Sequence, residues 1–161
     1  MLDFSRSILL IQVASTLAMV GLIWFVQIVH YPLYSRVGEA AFARYEAEHN
    51  RLTSWVVVPL MLAELATALL LLGWPPAGIA FTPAIIGLVL VLAIWLITFT
   101  VQVPQHAALV QAYDPAVQQR LVAGNWLRTV AWTARGLLVL WMLSQTLGLS
   151  NPLDPTAAVS P

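Results

Sequence analysis

Charge is scarce in this sequence: charged residues make up 9% of the 161 residues, whereas hydrophobic residues make up 60%. A soluble domain typically carries about 25% charged residues. So few charges cannot cover a surface that faces water, but they suit a surface that faces lipid. The net charge is zero, lysine is absent and no basic run occurs. We therefore expect the lipid bilayer as a partner and no nucleic acid.

Cysteine is absent as well, which excludes disulfides, thiolate metal sites and cysteine catalysis. The chain has no glycine-rich phosphate-binding loop, no Gly-x-Ser-x-Gly motif and no His-Glu-x-x-His motif. No hydrophobic stretch bears the run of charges expected of a voltage sensor. Any chemistry must therefore be sought among the histidines, carboxylates and arginines.

Four hydrophobic stretches are long enough to cross a bilayer, which takes roughly 20 apolar helical residues. They cover about residues 8–29, 52–72, 82–103 and 127–147. The first is longer than the apolar part of a signal peptide, about 7–15 residues, so we expect a retained helix. We predict an all-α protein in which residues 1–150 form a single bundle of four transmembrane helices. A short polar C-terminal tail, 151–161, follows.

The two halves of the chain match at a constant offset of 75 residues. The matched pairs are Gln27 with Gln102, Glu39 with Asp114, and Asn50 with Asn125. We therefore predict two tandem, parallel helical hairpins, about 8–73 and 82–148, related by an axis along the membrane normal. Short amphipathic helices are expected to connect the helices within each hairpin. One of them should begin at Asp114-Pro115, an N-cap followed by proline at the first helical position.

The arginines indicate an orientation. The two longer connections, about 30–51 and 104–126, and their edges hold five arginines, and the opposite side of the predicted bundle holds only Arg6. The positive-inside rule then places the longer connections in the cytoplasm and both termini outside. We expect a bacterial inner-membrane protein with this topology.

All three histidines, His30, His49 and His106, fall on the side that is predicted to be cytoplasmic. Gln27 and Gln102 lie one helical turn deeper than His30 and His106, on the same helical faces. A single histidine at the membrane boundary is ordinary, because its polar end can remain in water. Three histidines with two deeper glutamines favour a functional polar site on this membrane face.

A metal centre is one hypothesis for this site. Glu46 precedes His49 by three residues, a spacing found in metal sites inside four-helix bundles. Glu46 and the three histidines could bind zinc, iron or copper, and haem held by two histidines is another option. Hydrogen-bonding support for the imidazoles could come from four amides, namely Gln27, Gln102, Asn50 and Asn125. The sequence equally allows a histidine cluster that is catalytic or structural without a metal.

Three further charges stand out. Arg128 lies beside Asn125 at the start of the fourth stretch and could bind an anionic group, although an ordinary cytoplasmic arginine is the simpler interpretation. Glu64 and Arg135 lie inside the second and fourth stretches, where an unpaired charge is costly. We therefore predict an ion pair between Glu64 and Arg135, with either a structural role or one in handling protons or substrate.

Four segments resemble a group of small bacterial four-helix membrane proteins whose functions are mostly unassigned. They are 26–32 (VQIVHYP), 48–49 (EH), 101–106 (VQVPQH) and 125–129 (NWLRT). The resemblance extends over about residues 10–147. In general layout the chain also distantly resembles anthrone-oxygenase-like membrane proteins, which share four helices and a polar patch at the ends of helices three and four. That resemblance implies oxidation of a hydrophobic substrate.

The function that we favour from the sequence is a membrane-embedded oxidoreductase that acts on a lipophilic small molecule. Its catalytic residues would be His30, His49, His106 and Arg128, with or without a metal. Two alternatives stay open. One is a non-catalytic subunit of a larger membrane complex. The other is a small transporter that works as a homo-oligomer, since four helices are too few to enclose a sizeable transport path.

Overall fold

Four long helices pack side by side as a bundle in the computed structural model, which describes residues 3–148. They are α1 (Phe4–Phe25), α2 (Glu39–Gly73), α3 (Phe81–Ile97) and α4 (Pro115–Thr146). Helix α1 packs against α2 and α4, and α3 packs against the same two helices. The all-α bundle predicted from the sequence is thus confirmed. The predicted tail, 151–161, lies outside the described residues.

Two of the helices continue beyond a π-helical turn. After α1 come the π-helical turn Val26–His30, the helical turn Tyr31–Leu33 and the 3-10 turn Tyr34–Arg36. After α3 come the π-helical turn Thr98–Gln102 and the helical segment Val103–Gln111. These extensions form the connections at one end of the bundle, and a short turn links α2 to α3 at the other. In that turn Gly78 has a φ of 86°, which favours glycine.

Proline explains where the π-helical turns form. Pro32 and Pro104 each follow a π-helical turn by two residues and have no backbone N–H to donate within the helix. The residue before each proline donates its N–H five residues back, Tyr31 to Val26 and Val103 to Thr98. Such turns are frequent at functional sites. Here they shift the register of the helix just before the polar residues that face the bundle interior.

Three helices are long and apolar enough to cross a membrane, judged by length and composition within the described residues: Phe4–Arg36, Glu39–Gly73 and Phe81–Gln111. Helix α4 is of similar length but is not among them. Its buried side carries Arg128, Thr129 and Arg135, which lower its overall hydropathy. The structure therefore supports a membrane protein with three candidate spans, and the fourth crossing stays a prediction.

The outer surface of the bundle is apolar. Large hydrophobic side chains that are at least half exposed include Leu62, Leu69, Val89, Leu92, Leu96, Val130 and Leu137. Water-exposed apolar patches of this extent are rare on soluble monomers, which would aggregate through them. Contact with lipid tails removes that difficulty, so the distribution of exposed side chains agrees with the candidate spans.

The interior is layered along the bundle. One apolar cluster at the end without the histidines contains Leu9, Leu71 and Met142. A central cluster contains Met19, Ile94 and Trp132. At the other end Tyr31, Tyr34, Phe42, Leu109 and Leu121 pack together. This last cluster holds the two extended connections against α2 and α4, and so positions the polar residues described next. The structure does not show the predicted duplication, which stays a prediction.

Candidate functional site

The three histidines meet at one end of the bundle. The His30 Nε2 and His49 Nδ1 atoms lie 2.9 Å apart, so one imidazole ring donates a hydrogen bond to the other. The ring centres of His49 and His106 are 5.7 Å apart. His30 comes from the turn after α1, His49 from α2 and His106 from the segment after α3. The predicted polar, histidine-rich end of the protein is therefore built from three different parts of the chain.

A hydrogen-bonded chain runs through His106. The carboxylate of Glu46, which is completely buried, binds His106 Nδ1. On the other side of the same ring, His106 Nε2 lies 2.8 Å from the Tyr31 hydroxyl oxygen. A proton held on Nδ1 by the carboxylate leaves Nε2 free to accept the Tyr31 proton. The arrangement Glu46–His106–Tyr31 thus resembles a catalytic triad, in which a carboxylate orients an imidazole beside a hydroxyl group.

The metal hypothesis gains no support from this geometry. Within residues 3–148, no group of three or more His, Cys, Asp or Glu side chains is arranged to hold a metal ion. His30 and His49 turn nitrogen atoms toward each other, and His106 is held between Glu46 and Tyr31. The metal and haem proposals for these residues stay hypotheses of the sequence.

A cavity of about 440 Å³ opens beside His106, between α2 and the extended third helix. One end of its wall is polar and includes Tyr31, His49, Gln102, His106 and Arg128. The remainder includes the apolar Val57, Met61, Trp95 and Phe99 together with the hydroxyl residues Thr53, Ser54 and Thr98, and most of its surface is apolar. An apolar cavity with a few convergent polar groups is the usual form of a small-molecule site. His30 is not part of this wall, so of the predicted catalytic residues only His49, His106 and Arg128 face the cavity.

The amides predicted to support the histidines contact α4 instead. Gln27 Oε1 accepts a hydrogen bond of 2.9 Å from Asn125 Nδ2, and Gln27 Nε2 donates to the Val122 carbonyl oxygen. Gln102 Nε2 donates to the Leu121 carbonyl oxygen. In the described part of the chain, none of these side chains forms a hydrogen bond with a histidine. Asn50, the fourth predicted amide, lies in the cavity wall.

Asn125 in turn holds Arg128. The Asn125 Oδ1 atom accepts a hydrogen bond of 3.1 Å from Arg128 Nη1, and the Arg128 guanidinium also interacts with the Tyr31 hydroxyl. Arg128 is only 6% exposed. Tyr31 therefore lies between His106 and Arg128, at the polar end of the cavity.

Glu64 and Arg135 meet in the bundle centre, away from the cavity wall. Their side chains form a fully buried ion pair. Glu64 also accepts hydrogen bonds from Ser15 and Thr16 on α1, and Arg135 donates to the carbonyl oxygen of Gly87 on α3. This group of residues joins all four helices, which favours the structural role over a role in substrate handling.

The chain was compared with known proteins at three levels. No protein-family model, no curated protein and no solved structure matches it. The resemblance of segments 26–32, 48–49, 101–106 and 125–129 to small bacterial membrane proteins is therefore untested and stays a prediction. The candidate function depends on the geometry of the site alone.

Sequence reasoning missed the role of Tyr31. The residue follows His30 directly, but an aromatic residue is ordinary at a membrane boundary, and no role was predicted for it. Its hydroxyl meets His106, 75 positions along the chain, because the turn Tyr31–Leu33 and the segment Val103–Gln111 both pack against α4. The available signal was Pro32, because a proline changes the helix geometry of the residues just before it, which here include Tyr31.

Proposed function

We propose that this protein is a membrane-embedded enzyme that transfers a proton to or from a lipophilic small molecule bound in the cavity. The observation that carries the proposal is the hydrogen-bonded chain Glu46–His106–Tyr31, which ends at the wall of a largely apolar cavity. In this role His106 is the general base and acid, Tyr31 contacts the substrate, and Glu46 positions the His106 ring.

The proton transfer follows from the order of the groups. A substrate X–H gives its proton to the Tyr31 oxygen while the Tyr31 hydroxyl proton moves to His106 Nε2. The products are the substrate anion and an imidazolium that is paired with the Glu46 carboxylate. Reversal returns the proton to the same or a neighbouring substrate atom. General acid–base groups placed in this way typically accelerate a reaction about 10²–10⁴-fold.

The surroundings of the cavity favour a substrate that arrives from lipid. The cavity lies between two of the candidate membrane-spanning helices, and apolar atoms form most of the surface of its wall. A substrate that is polar throughout would lose its hydration along the apolar surface without gaining hydrogen bonds there in return. A molecule dissolved in the bilayer has no such cost.

The oxidoreductase hypothesis is a finer form of the same proposal. Removal of a proton leaves an electron-rich anion, from which an external oxidant such as dioxygen could take electrons. The resemblance to anthrone-oxygenase-like proteins implies oxidation of this kind on a hydrophobic substrate. The proton-transfer step is common to both forms and is the step that the residues of this chain explain.

We also propose that α4 crosses the membrane as the fourth span. Its charged and hydroxyl side chains Arg128, Thr129 and Arg135 are buried in the bundle. Its outer side exposes apolar residues such as Val130 and Leu137. Lipid would therefore meet an apolar surface even though the average hydropathy of α4 is low.

Hydrogen–deuterium exchange tests the enzymatic proposal. The purified protein in lipid nanodiscs is incubated in D₂O with a panel of lipophilic ketones, phenols and anthrones that have exchangeable C–H bonds, and deuterium incorporation is followed by mass spectrometry. We expect the wild type to accelerate exchange into at least one compound. Tyr31→Phe and His106→Gln should each lower that rate about 100-fold or more.

Tyr113→Phe provides the matched control. It removes the same atom from a tyrosine whose hydroxyl donates to Gln118 and which does not line the cavity. It should leave the exchange rate unchanged. Equal rates in Tyr31→Phe, His106→Gln and the wild type would contradict the proposal.

A further inference from the structure

Arg128 is a buried cation without a carboxylate partner. Its side chain is 6% exposed and forms part of the polar end of the cavity. Within residues 3–148, none of the ion pairs closer than 4.0 Å includes it. An unpaired charge in such a place is costly, and buried charges are normally paired. The position therefore calls for an anion that the protein itself does not provide.

Each of the two buried carboxylates of the bundle has a cationic or imidazole partner other than Arg128. Glu46 is bound to His106, and Glu64 is bound to Arg135, Ser15 and Thr16. Glu46 Oε2 has no hydrogen-bond partner among the described residues, but no ion pair within 4.0 Å joins either carboxylate to Arg128. Most of the other acidic residues in the described part of the chain are exposed, for example Glu48, which pairs with Arg51.

Arg128 is also held in place. Its Nη1 atom donates to Asn125 Oδ1, and Asn125 is itself fixed by Gln27. The Nε atom of Arg128 has no hydrogen-bond partner among the described residues. A guanidinium that is anchored on one side and has an unused donor suits a carboxylate, which accepts two parallel hydrogen bonds from arginine.

We propose that the cavity binds a lipophilic carboxylate, with the carboxylate on Arg128 and the apolar body along Met61, Trp95 and Phe99. This inference rests on the proposed function, because it names the substrate class of the same cavity. A cavity of about 440 Å³ has the size of sites for single small ligands, about 300–1,000 Å³. A compact acid therefore fits better than a two-chain phospholipid. Because Tyr31 interacts with Arg128, carbon atoms next to the bound carboxylate lie near the proton-transfer chain.

Photo-crosslinking with two matched probes tests this inference. The probes are dodecanoic acid and dodecanol, each with a diazirine at the same mid-chain carbon. Each is added to wild-type protein in phosphatidylcholine nanodiscs at a pH at which the acid is ionised, and the labelled peptides are mapped by mass spectrometry. We expect the acid to label the cavity segments around Met61, Trp95 and Phe99 at least 10-fold more than the alcohol does.

Variants of Arg128 should remove this preference. Arg128→Gln is expected to lower labelling by the acid about 10-fold and to leave labelling by the alcohol unchanged, whereas Arg128→Lys should retain part of the preference. Arg36→Gln, at an exposed arginine of the same end of the bundle, is the control and should change neither. The comparison of acid with alcohol in the wild type needs no variant, so it holds even if Arg128→Gln fails to fold.

Three outcomes would overturn the inference. Equal labelling of the cavity by acid and alcohol would show that the cavity binds lipophilic molecules regardless of their charge, and the proposed function would stand. An absence of cavity labelling by either probe would overturn the inference, whereas deuterium exchange into the panel of compounds decides separately on the proposed function. Displacement of the acid probe when phosphatidylglycerol is added to the nanodiscs would assign Arg128 to a phospholipid head group instead.

Discussion

Two glutamates on α2 are completely buried, and each has a different kind of partner. Glu46 binds a histidine that can exchange its proton, and it lies next to the cavity. Glu64 binds Arg135, which stays charged, and hydroxyl groups of α1 complete its surroundings. At the scale of single residues, the first arrangement is suited to proton transfer and the second to holding helices together.

A double-mutant cycle separates the structural pair from a functional one. Glu64→Leu or Arg135→Leu alone should lower the free energy of unfolding by about 3–5 kcal/mol, because each leaves an uncompensated buried charge. The double variant should be more stable than either single variant. In the double variant the hydroxyl groups of Ser15 and Thr16 still have hydrogen-bond acceptors, because both also donate to backbone carbonyl oxygens of α1.

SDS titration of the protein in mixed micelles measures these unfolding free energies. Glu48→Gln is the control for loss of a carboxylate, because the Glu48–Arg51 pair is more than half exposed. It should change stability by no more than about 1 kcal/mol. A double variant as unstable as the worse single variant would contradict the assignment.

Much of this residue pattern could be predicted from the sequence. Glu64 and Arg135 each stand alone in an apolar stretch, so the cost of burying a charge was enough to pair them. Tyr31 is uncharged, so no cost of burying a charge points to its partner. Its contact with His106 depends on the shifted helix geometry before Pro32. Glu46 and His106 were predicted to share a site as metal ligands, but their direct hydrogen bond was not predicted.

At the scale of elements, close packing of α4 against the π-helical turn Thr98–Gln102 shapes the cavity. Gly124 makes this approach possible: a Cβ atom there would lie 2.9 Å from Val101 Cγ1 and 3.2 Å from Gln102 Nε2. Gln102 lines the cavity and donates to the α4 carbonyl of Leu121. A side chain at position 124 would push the turn and Gln102 away from α4.

Gly124→Ala should therefore destabilise the protein by about 1–3 kcal/mol, as overpacking typically does. Gly21→Ala on α1 is the matched control, because a Cβ atom there meets nothing within 4 Å. It should be neutral or stabilising by up to about 1 kcal/mol, owing to the higher helix propensity of alanine. Thermal unfolding of the two variants side by side measures the difference. Equal transition temperatures would contradict the packing described here.

Element boundaries illustrate how far local sequence signals reach. Asp114 accepts a hydrogen bond of 2.7 Å from the Ala116 N–H, so the predicted N-cap is confirmed. The short connecting helix predicted to begin there is wrong, because the helix from Pro115 runs without a break to Thr146 as α4. The π-helical turns were not foreseen, since their position depends on proline together with packing on neighbouring helices. Helix α4 was predicted as a span from its apolar residues, yet its buried polar side lowers its hydropathy below that of the other three.

At the scale of the whole molecule, the proposed topology has the cavity and its polar end at one face of a membrane. The chain lacks cysteine, so single introduced cysteines can report topology. We expect Ala77→Cys and Leu147→Cys to react with a membrane-impermeant maleimide from the outside of cells. Ser35→Cys and Ala112→Cys should react only after permeabilisation. Labelling of Ser35→Cys and Ala77→Cys from the same side of the membrane would contradict a crossing by α2. Labelling of Ala112→Cys and Leu147→Cys from the same side would contradict a crossing by α4.

The central claim is that the chain Glu46–His106–Tyr31 transfers a proton to or from a lipophilic molecule in the cavity. The most direct measurement is the rate of deuterium incorporation catalysed by Tyr31→Phe relative to that catalysed by Tyr113→Phe, with the same compound in the same nanodiscs. The account predicts that the Tyr31 variant is slower by a factor of about 100 or more. Equal rates in the two variants would contradict it.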